Sequence, residues 1–457
     1  MARVVVVGGG IGGLGCGLFL PPCGHDVTIL DRDPAGAPPD SAAAWSAWER
    51  GGVPQFRQVH LFNARSRILL RDHAPQVLDA LHDAGAGLVH LNGPDDDELV
   101  RLTSRRTTYE LALRRAVLDD ARVQFVGGIR VVGLNRDGDR INGVRAEDGR
   151  EWPADLVVDA SGRRSQVDKW LADAGFAAPP RVEAGASSVA YTRWYRVRTG
   201  ERGPLLRADL GYAVGMIGPA DDGWFCVVFG CLAEDPVMRG LRDPDAFGRA
   251  TAAIPAIAAW TDPDQVSIES PVLTMADRAN RLTVQGAGGV PGLVLLGDSA
   301  VCTNPGYGRG VGLALHHARR LAELLDQTAG DPVAVAPAFV ALTRSELEPW
   351  YHAAVGADRA RYAISRRVLA GESLEAIGGP GDDPTIRFSR GAGYACQRDP
   401  GLQQTFHRAF QLLAPPDTWW GNPEVEARVD ELWSEVDTDP PPAEGPSHEE
   451  LARILSS

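Results

Sequence analysis

Three short segments of this chain carry residue types and spacings that do recognisable chemistry. The first is Gly8-x-Gly10-x-x-Gly13, with Asp31 downstream of it. Glycines at that spacing permit a tight turn, let the backbone approach a pyrophosphate closely, and leave helix N-terminal amides facing its negative charge. Asp31 is then placed to accept a hydrogen bond from a ribose hydroxyl. The second segment is Asp159-Ala160-Ser161-Gly162-Arg163-Arg164-Ser165. Alone, an acid and a glycine after an apolar run describe an ordinary turn. The third is Gly297-Asp298-Ser299-Ala300 followed by Asn304-Pro305-Gly306-Tyr307-Gly308-Arg309-Gly310-Val311-Gly312. Here a strand end presents a carboxylate, a proline-bearing loop follows, and a glycine-rich helix start offers its amides to an anion.

The elements around these segments are those such chemistry needs. Residues 3–7 (RVVVV) read as a buried parallel strand, Leu14–Leu20 begin a helix and Asp26–Leu30 form a second strand, so the chain opens as a βαβ unit. Pro21-Pro22 cut the first helix short and predict an unusual C-terminal end for it. A helical pattern runs from about Val59 to Ala86, another covers Thr107–Asp119, and Leu156–Ala160 give a further buried strand. From about Arg181 to Met275 the texture changes to strands separated by turn residues, among them Val189–Val197, Tyr212–Ile217 and Trp224–Phe229. Leu293–Leu296 return to a short parallel strand, Val311–Leu325 make a long helix, and helical pattern continues from Pro332 to about Leu369. Beyond that the chain reads as a Pro- and Gly-rich tail with a tryptophan cluster, Trp419, Trp420 and Trp433.

Composition narrows the possibilities. A chain of 457 residues, 44% hydrophobic and 23% charged, has the balance of a globular protein of two or three domains. A net charge of -14 argues against a nucleic-acid partner. Lys169 is the sole lysine, which excludes a catalytic lysine nearly everywhere. The six cysteines show neither a CxxC pair nor zinc-type spacing, so a reduced protein without a structural metal is expected. The apolar run before the first glycines is too short for a signal peptide, and no stretch approaches the ~20 apolar residues of a membrane span. A cytoplasmic location is the expectation.

Together the three segments resemble the class A flavoprotein monooxygenases, with the aromatic-hydroxylase type fold, and within them the bacterial natural-product hydroxylases and epoxidases. The resemblance covers most of residues 1–370. It implies an α/β plus α+β architecture: a Rossmann-like FAD-binding domain (1–180 and 281–330), a mixed or antiparallel-sheet substrate domain (181–280) and a helical C-terminal region (331–457). It implies FAD as cofactor, NADPH or NADH as reductant, and O2 as co-substrate. Gly8, Gly10, Ile11, Gly12 and Gly13 would hold the pyrophosphate, Asp31 with Arg32 the adenosine side, and Asp298 the ribose or ribityl chain. Pro305, Gly308, Gly310, Val311 and Gly312 would border the isoalloxazine. Asp159 and Gly162 match the motif that touches both FAD and reduced nicotinamide, so no second Rossmann domain is expected. The stretch Arg106–Arg115 resembles the family's flavin-contacting helix, with Arg106 or Arg114 as the contact and a solvated basic face as the plain alternative. Val53–His60 resembles the flavin-adjacent loop, although Gln58 stands where relatives carry histidine.

In such a protein the cofactor carries the hard step, consistent with the lack of a Ser-His-Asp set or paired carboxylates to nominate as catalytic. The substrate is expected to be a small hydrophobic or aromatic molecule met by middle-domain strand residues: Tyr191, Arg193 and Tyr195 on one face or Trp194 on the other, with Trp224 and Phe229. The aromatics are types that more often form core, and Arg193 one that more often forms a surface salt bridge. Rivals within the same fold are oxidases, dehydrogenases and non-redox flavoproteins. A halogenase would need an active-site lysine and a Trp-x-Trp-x-Ile-Pro motif that this sequence lacks. A non-catalytic nucleotide-binding regulator would keep Gly8–Gly13 but have no use for Asp298–Gly312. A GDS-type hydrolase lacks its partner residues here, and the acidic run Asp95–Glu98 reads as a solvated loop rather than a metal site.

Overall fold

The apolar runs that bracket the glycine motifs pair with one another. In the computed structural model, which describes residues 1–34, 36–185, 188–198, 206–276, 279–438 and 444–457, they form a five-stranded parallel sheet. Its order is Leu293–Leu295, Leu156–Asp159, Arg3–Val7, Asp26–Asp31, Val123–Gly127. Such strands are apolar throughout because both faces are covered. Val4, Val6, Ile29 and Val158 pack under the helices Ile11–Phe19, Arg106–Leu118 and Gly310–Gln327. Val5, Val7, Leu30 and Val157 pack against a three-stranded meander beginning at Val131 and the helix Val167–Asp173. The first helix ends in a 3-10 turn at Pro21–Cys23 closed by Gly24 in the left-handed region, the unusual end its prolines predict.

The chain leaves this sheet after Asp159 and returns at Leu293. Between them lies a six-stranded antiparallel sheet whose longest strand, Ser188–Val197, pairs with Trp224–Leu232, Val266–Ile268 and Leu273–Met275. Its two faces differ. Tyr191, Tyr195, Phe225 and Phe229 point into an apolar layer with Phe247, Ile254 and Leu451, while Ala190, Trp194, Cys226 and Val228 point the other way. Two helices interrupt the predicted run of strands, Pro244–Ala252 and Pro255–Ala258.

The residues after about 370, rich in Pro and Gly, belong to the expected helical C-terminal region. They form the helices Pro384–Arg398, Pro400–Phe410, Pro423–Ser434 and His448–Ser456. Pro384, Pro400 and Pro423 sit in the first turns of the first three, where a missing N–H costs nothing, and Asp383, Asp399 and Asn422 cap them. The helical pattern at 59–86 likewise resolves into two helices, Ala64–His73 and Pro75–Asp83, broken at Ala74 before a proline. Among the described residues no helix is long and apolar enough to cross a membrane.

Candidate functional site

A cavity of about 400 Å³ runs along the C-terminal edge of the parallel sheet and reaches the antiparallel one. At one end the strand Arg3–Val7 gives way to Gly8, whose φ of +109° and tight approach to the Ala160 carbonyl exclude a side chain. Gly13 packs against the same turn, and a Cβ there would sit 1.9 Å from the Gly8 carbonyl oxygen. Gly10 caps the helix that follows, with open space where a Cβ would project. The helix start therefore presents amides to the cavity.

Behind this turn lies a lattice of buried charges. The Arg50 guanidinium, 1% exposed, reaches Asp31 at 2.8 Å, Asp33 at 3.0 Å and Glu110 at 2.6 Å, and donates to the Gly9 carbonyl. Glu110 also pairs with Arg106 at 2.7 Å. Burial alone would raise the Glu110 carboxyl, but Arg50 and Arg106 outweigh it and hold the group below the ordinary carboxylate range. Arg106 continues the chain to His60 Nε2 at 3.2 Å, and His60 Nδ1 meets the Gln58 carbonyl at 3.0 Å. Burial and the Arg106 charge push His60 down to about 3, so the ring is neutral, and its partners require Nδ1–H to donate and Nε2 to accept. Gln58 Oε1 accepts from Thr192 Oγ1 at 2.8 Å. A continuous polar chain thus runs from the end of the second parallel strand to the middle sheet.

Asp298 lies on the cavity wall, where burial raises its carboxyl despite the nearby Arg163. Its turn is held by Ser299, which donates to the Asp159 carbonyl, and by His317 Nδ1, which accepts from Gly297 N–H at 3.1 Å. Pro305, Gly308, Gly310 and Val311 line the cavity beyond it.

Of the residues singled out in the sequence, the cavity also gathers Gly8, Gly10, Ile11, Gly12, Asp31, Arg32, Arg106 and Gly162. Four others stand one layer back. Gly13 and Gly312 are packing positions, the latter against Asn63. Asp159 spends its carboxylate on Ser161 and Ser165, shaping the turn that carries Gly162 and Arg163 forward. Arg114 is buried against Asp31 and the Gly9 carbonyl, so Arg106 is the arginine of this helix at the cavity wall.

The expected substrate residues are placed elsewhere. Strand alternation turns Tyr191, Tyr195 and Phe229 into the apolar layer on the far face of the antiparallel sheet. Arg193 reaches outward to the Pro244 carbonyl at 2.9 Å. Trp224 is on the near face but is covered by Trp45 and by the Arg105 guanidinium, 4.2 Å from its ring centroid. The middle sheet contributes Thr274, Met275 and Ala276 to the cavity instead, opposite Gln58–Leu61. Sequence reasoning also passed over Arg50, Glu110 and His60. Arg50 meets Asp31, Asp33 and Glu110 only through space, whereas the i,i+4 spacing of Arg106 and Glu110 was a local signal.

The residues present fit a flavin dinucleotide. The Gly10 opening is the cradle a phosphate needs, and Thr303 Oγ1, buried on the cavity wall, has no hydrogen-bond partner among the described residues. A family model described as FAD dependent oxidoreductase matches residues 3–114. The chain is 28% identical to the aurachin C monooxygenase/isomerase of Stigmatella aurantiaca, over 73% of this chain and 83% of that one. It is 26% identical to Protein Rv3254 of Mycobacterium tuberculosis, over 90% of each. These matches make the chain similar to FAD-dependent oxidoreductases and monooxygenases. Among solved structures, the flavin-dependent brominase Bmp2 superposes with a TM-score of 0.63 at 17% identity, over 95% of this chain and 98% of that one, which shows a shared fold. A flavin dinucleotide would span a cavity that joins a glycine turn, the Asp298 carboxylate and a second sheet.

Proposed function

We propose that this protein is an FAD-dependent monooxygenase that takes electrons from NADPH or NADH and uses O2 to hydroxylate or epoxidise a small hydrophobic or aromatic molecule. The observation that carries the reading is the continuity of the cavity from the Gly8–Gly12 turn past Asp298 to the Gln58–Leu61 and Thr274–Ala276 walls. In this reading the amides at Gly10–Gly12 hold the pyrophosphate, Asp31 and Arg32 the adenosine side, and Asp298 the ribityl chain. Arg106, Gly162, Pro305, Gly308, Gly310 and Val311 border the ring. Gly13, Asp159, Arg114 and Gly312 hold those groups in place from behind. Bound there, the flavin supplies the electron transfer and oxygen chemistry.

The chain's own share is orientation and exclusion of water. Asp31 is fixed by Arg50, so its carboxylate does not have to reorganise when a ribose arrives. The neutral His60 keeps the Arg106 guanidinium aimed along the wall without adding a second charge. The Gln58 amide is oriented by Thr192, which leaves its nitrogen as a donor for a carbonyl or hydroxyl oxygen on the substrate. Halogenation is disfavoured because Lys169 is exposed, pairs with Asp173 and does not line the cavity. A relative named as a monooxygenase/isomerase of aurachin C supports oxygen insertion as the reaction type.

The test is the visible spectrum of the purified protein in an anaerobic cuvette, followed on adding NADPH and then NADH, with and without candidate aromatic substrates. Flavin bands that bleach with a nicotinamide and return with air are the expected result. Bands indifferent to nicotinamide would favour an oxidase, and no flavin bound or taken up would overturn the reading.

A further inference from the structure

The loop that borders the proposed ring site is held from outside the cavity. Asp358, in the helix Glu348–Leu369, is 1% exposed, yet its carboxylate is met chiefly by neutral donors from this loop and a neighbouring strand. Tyr307 OH donates to it at 2.8 Å, Asn304 Nδ2 at 3.0 and 3.1 Å, and Asn280 Nδ2 at 2.8 Å. Asn304 is fixed further by its N–H on Asn280 Oδ1, by Gly306 N–H on its own Oδ1, and by Tyr362 OH. Two residues past Tyr307, the Arg309 side chain leaves the loop on the side away from the cavity. Its guanidinium is fully buried, finds no hydrogen-bond acceptor among the described residues, and is ringed by Tyr307, Trp350, Phe410 and Trp420 at 4.5–5.8 Å. A cation there opposes the dipole of the helix it precedes and is costly to desolvate. The aromatic faces and the nearby Asp358 charge offset that cost.

We propose that Asp358 is the positioning residue for the flavin ring: through Asn304 and Tyr307 it sets loop 303–310, while the Arg309 cage docks the C-terminal helices on the same loop. The identity of the loop's ligand rests on the flavin reading above. Asp358 does not line the cavity and acts through the loop, which distinguishes it from the residues that would contact the cofactor.

The experiment compares wild type, Asp358→Asn and the exchanged pair Asn304→Asp/Asp358→Asn in the full chain. The single variant sets amide donors against amide donors, and the exchange restores one carboxylate facing one amide. Hydrogen exchange of the 303–310 segment without flavin, FAD affinity and the visible circular dichroism of bound flavin are read together. Asp358→Asn is expected to speed exchange and weaken FAD at least ten-fold and to change the dichroism, with the double variant returning within three-fold of wild type. Ser365→Ala, which removes a hydrogen bond from the same helix to the Gly211 carbonyl, is expected to leave all three unchanged. Wild-type exchange in Asp358→Asn, or a double variant no better than the single, overturns the proposal. Should Asp358→Asn fail to fold, Tyr307→Phe takes its place: about three-fold faster exchange is expected, and unchanged exchange overturns the proposal. If wild type takes up no FAD, the flavin reading falls, while the exchange data still decide the role of Asp358.

Discussion

The two ends of the cavity are built by different means. At the Gly8–Gly13 end the backbone does the positioning: Gly8 turns, Gly13 closes on it, and the helix start faces the cavity, all within six residues of chain. At the other end the loop 303–310 is held by distant side chains, with Asn304 reaching Asp358 across 54 residues and Arg309 reaching Phe410 and Trp420 of the C-terminal region. A site for a charged, chemically uniform group can be written into local backbone geometry, because amides are present at every residue. A site for a ring that must be held at one angle needs packed side chains from several elements.

The largest expected effect breaks the backbone-built end. In Gly13→Ala the new methyl would overlap the Gly8 carbonyl oxygen, and neither strand nor helix can move away cheaply. Flavin content, read from visible absorbance against protein, is expected to fall at least a hundred-fold; normal content would show that this turn is not the cradle. The next effect sharpens the comparison by testing the charge lattice behind it. Glu110→Gln leaves Arg50 and Arg106 short of a buried partner and is expected to cost about 3–5 kcal/mol in urea unfolding at neutral pH. Because the folded-state Glu110 carboxyl is held below its ordinary range, its contribution is present above that range and is lost as pH falls through the depressed value. The gap between wild type and variant should therefore narrow below roughly pH 4, and a pH-independent gap would refute the ionic account. The smallest effect concerns the middle sheet. Tyr195→Phe alters only the far-face layer, so kcat/KM should stay within two-fold of wild type; a larger change would return that face to the substrate site.

The parts of the fold legible in the sequence are those with a local physical cause. Val4–Val7 and Leu156–Val158 are apolar at every position because both faces of a parallel strand are buried, and the pattern says so without reference to partners. Proline was the residue most open to misreading. Pro384, Pro400 and Pro423 begin helices, and the Asp or Asn before each was the available signal. The face of Ser188–Val197 was not legible. Alternation separates Tyr191 and Tyr195 from Thr192 and Trp194, but both sets are buried, so the sequence contains no contrast by which to tell cavity from core.

The sequence by itself determined the glycine turn, the position of Asp298 at a strand end and the resemblance to flavoproteins, since glycine spacing and strand–turn–helix order act over a few residues. The tertiary structure decided which arginine of the helix Arg106–Leu118 reaches the cavity, that Arg50 and Glu110 form the lattice behind Asp31, and that Asp358 and Arg309 tie the ring loop to the C-terminal helices. Buried ion pairs and aromatic cages depend on side chains meeting through space, and nothing in the spacing of their residues along the chain specifies that encounter.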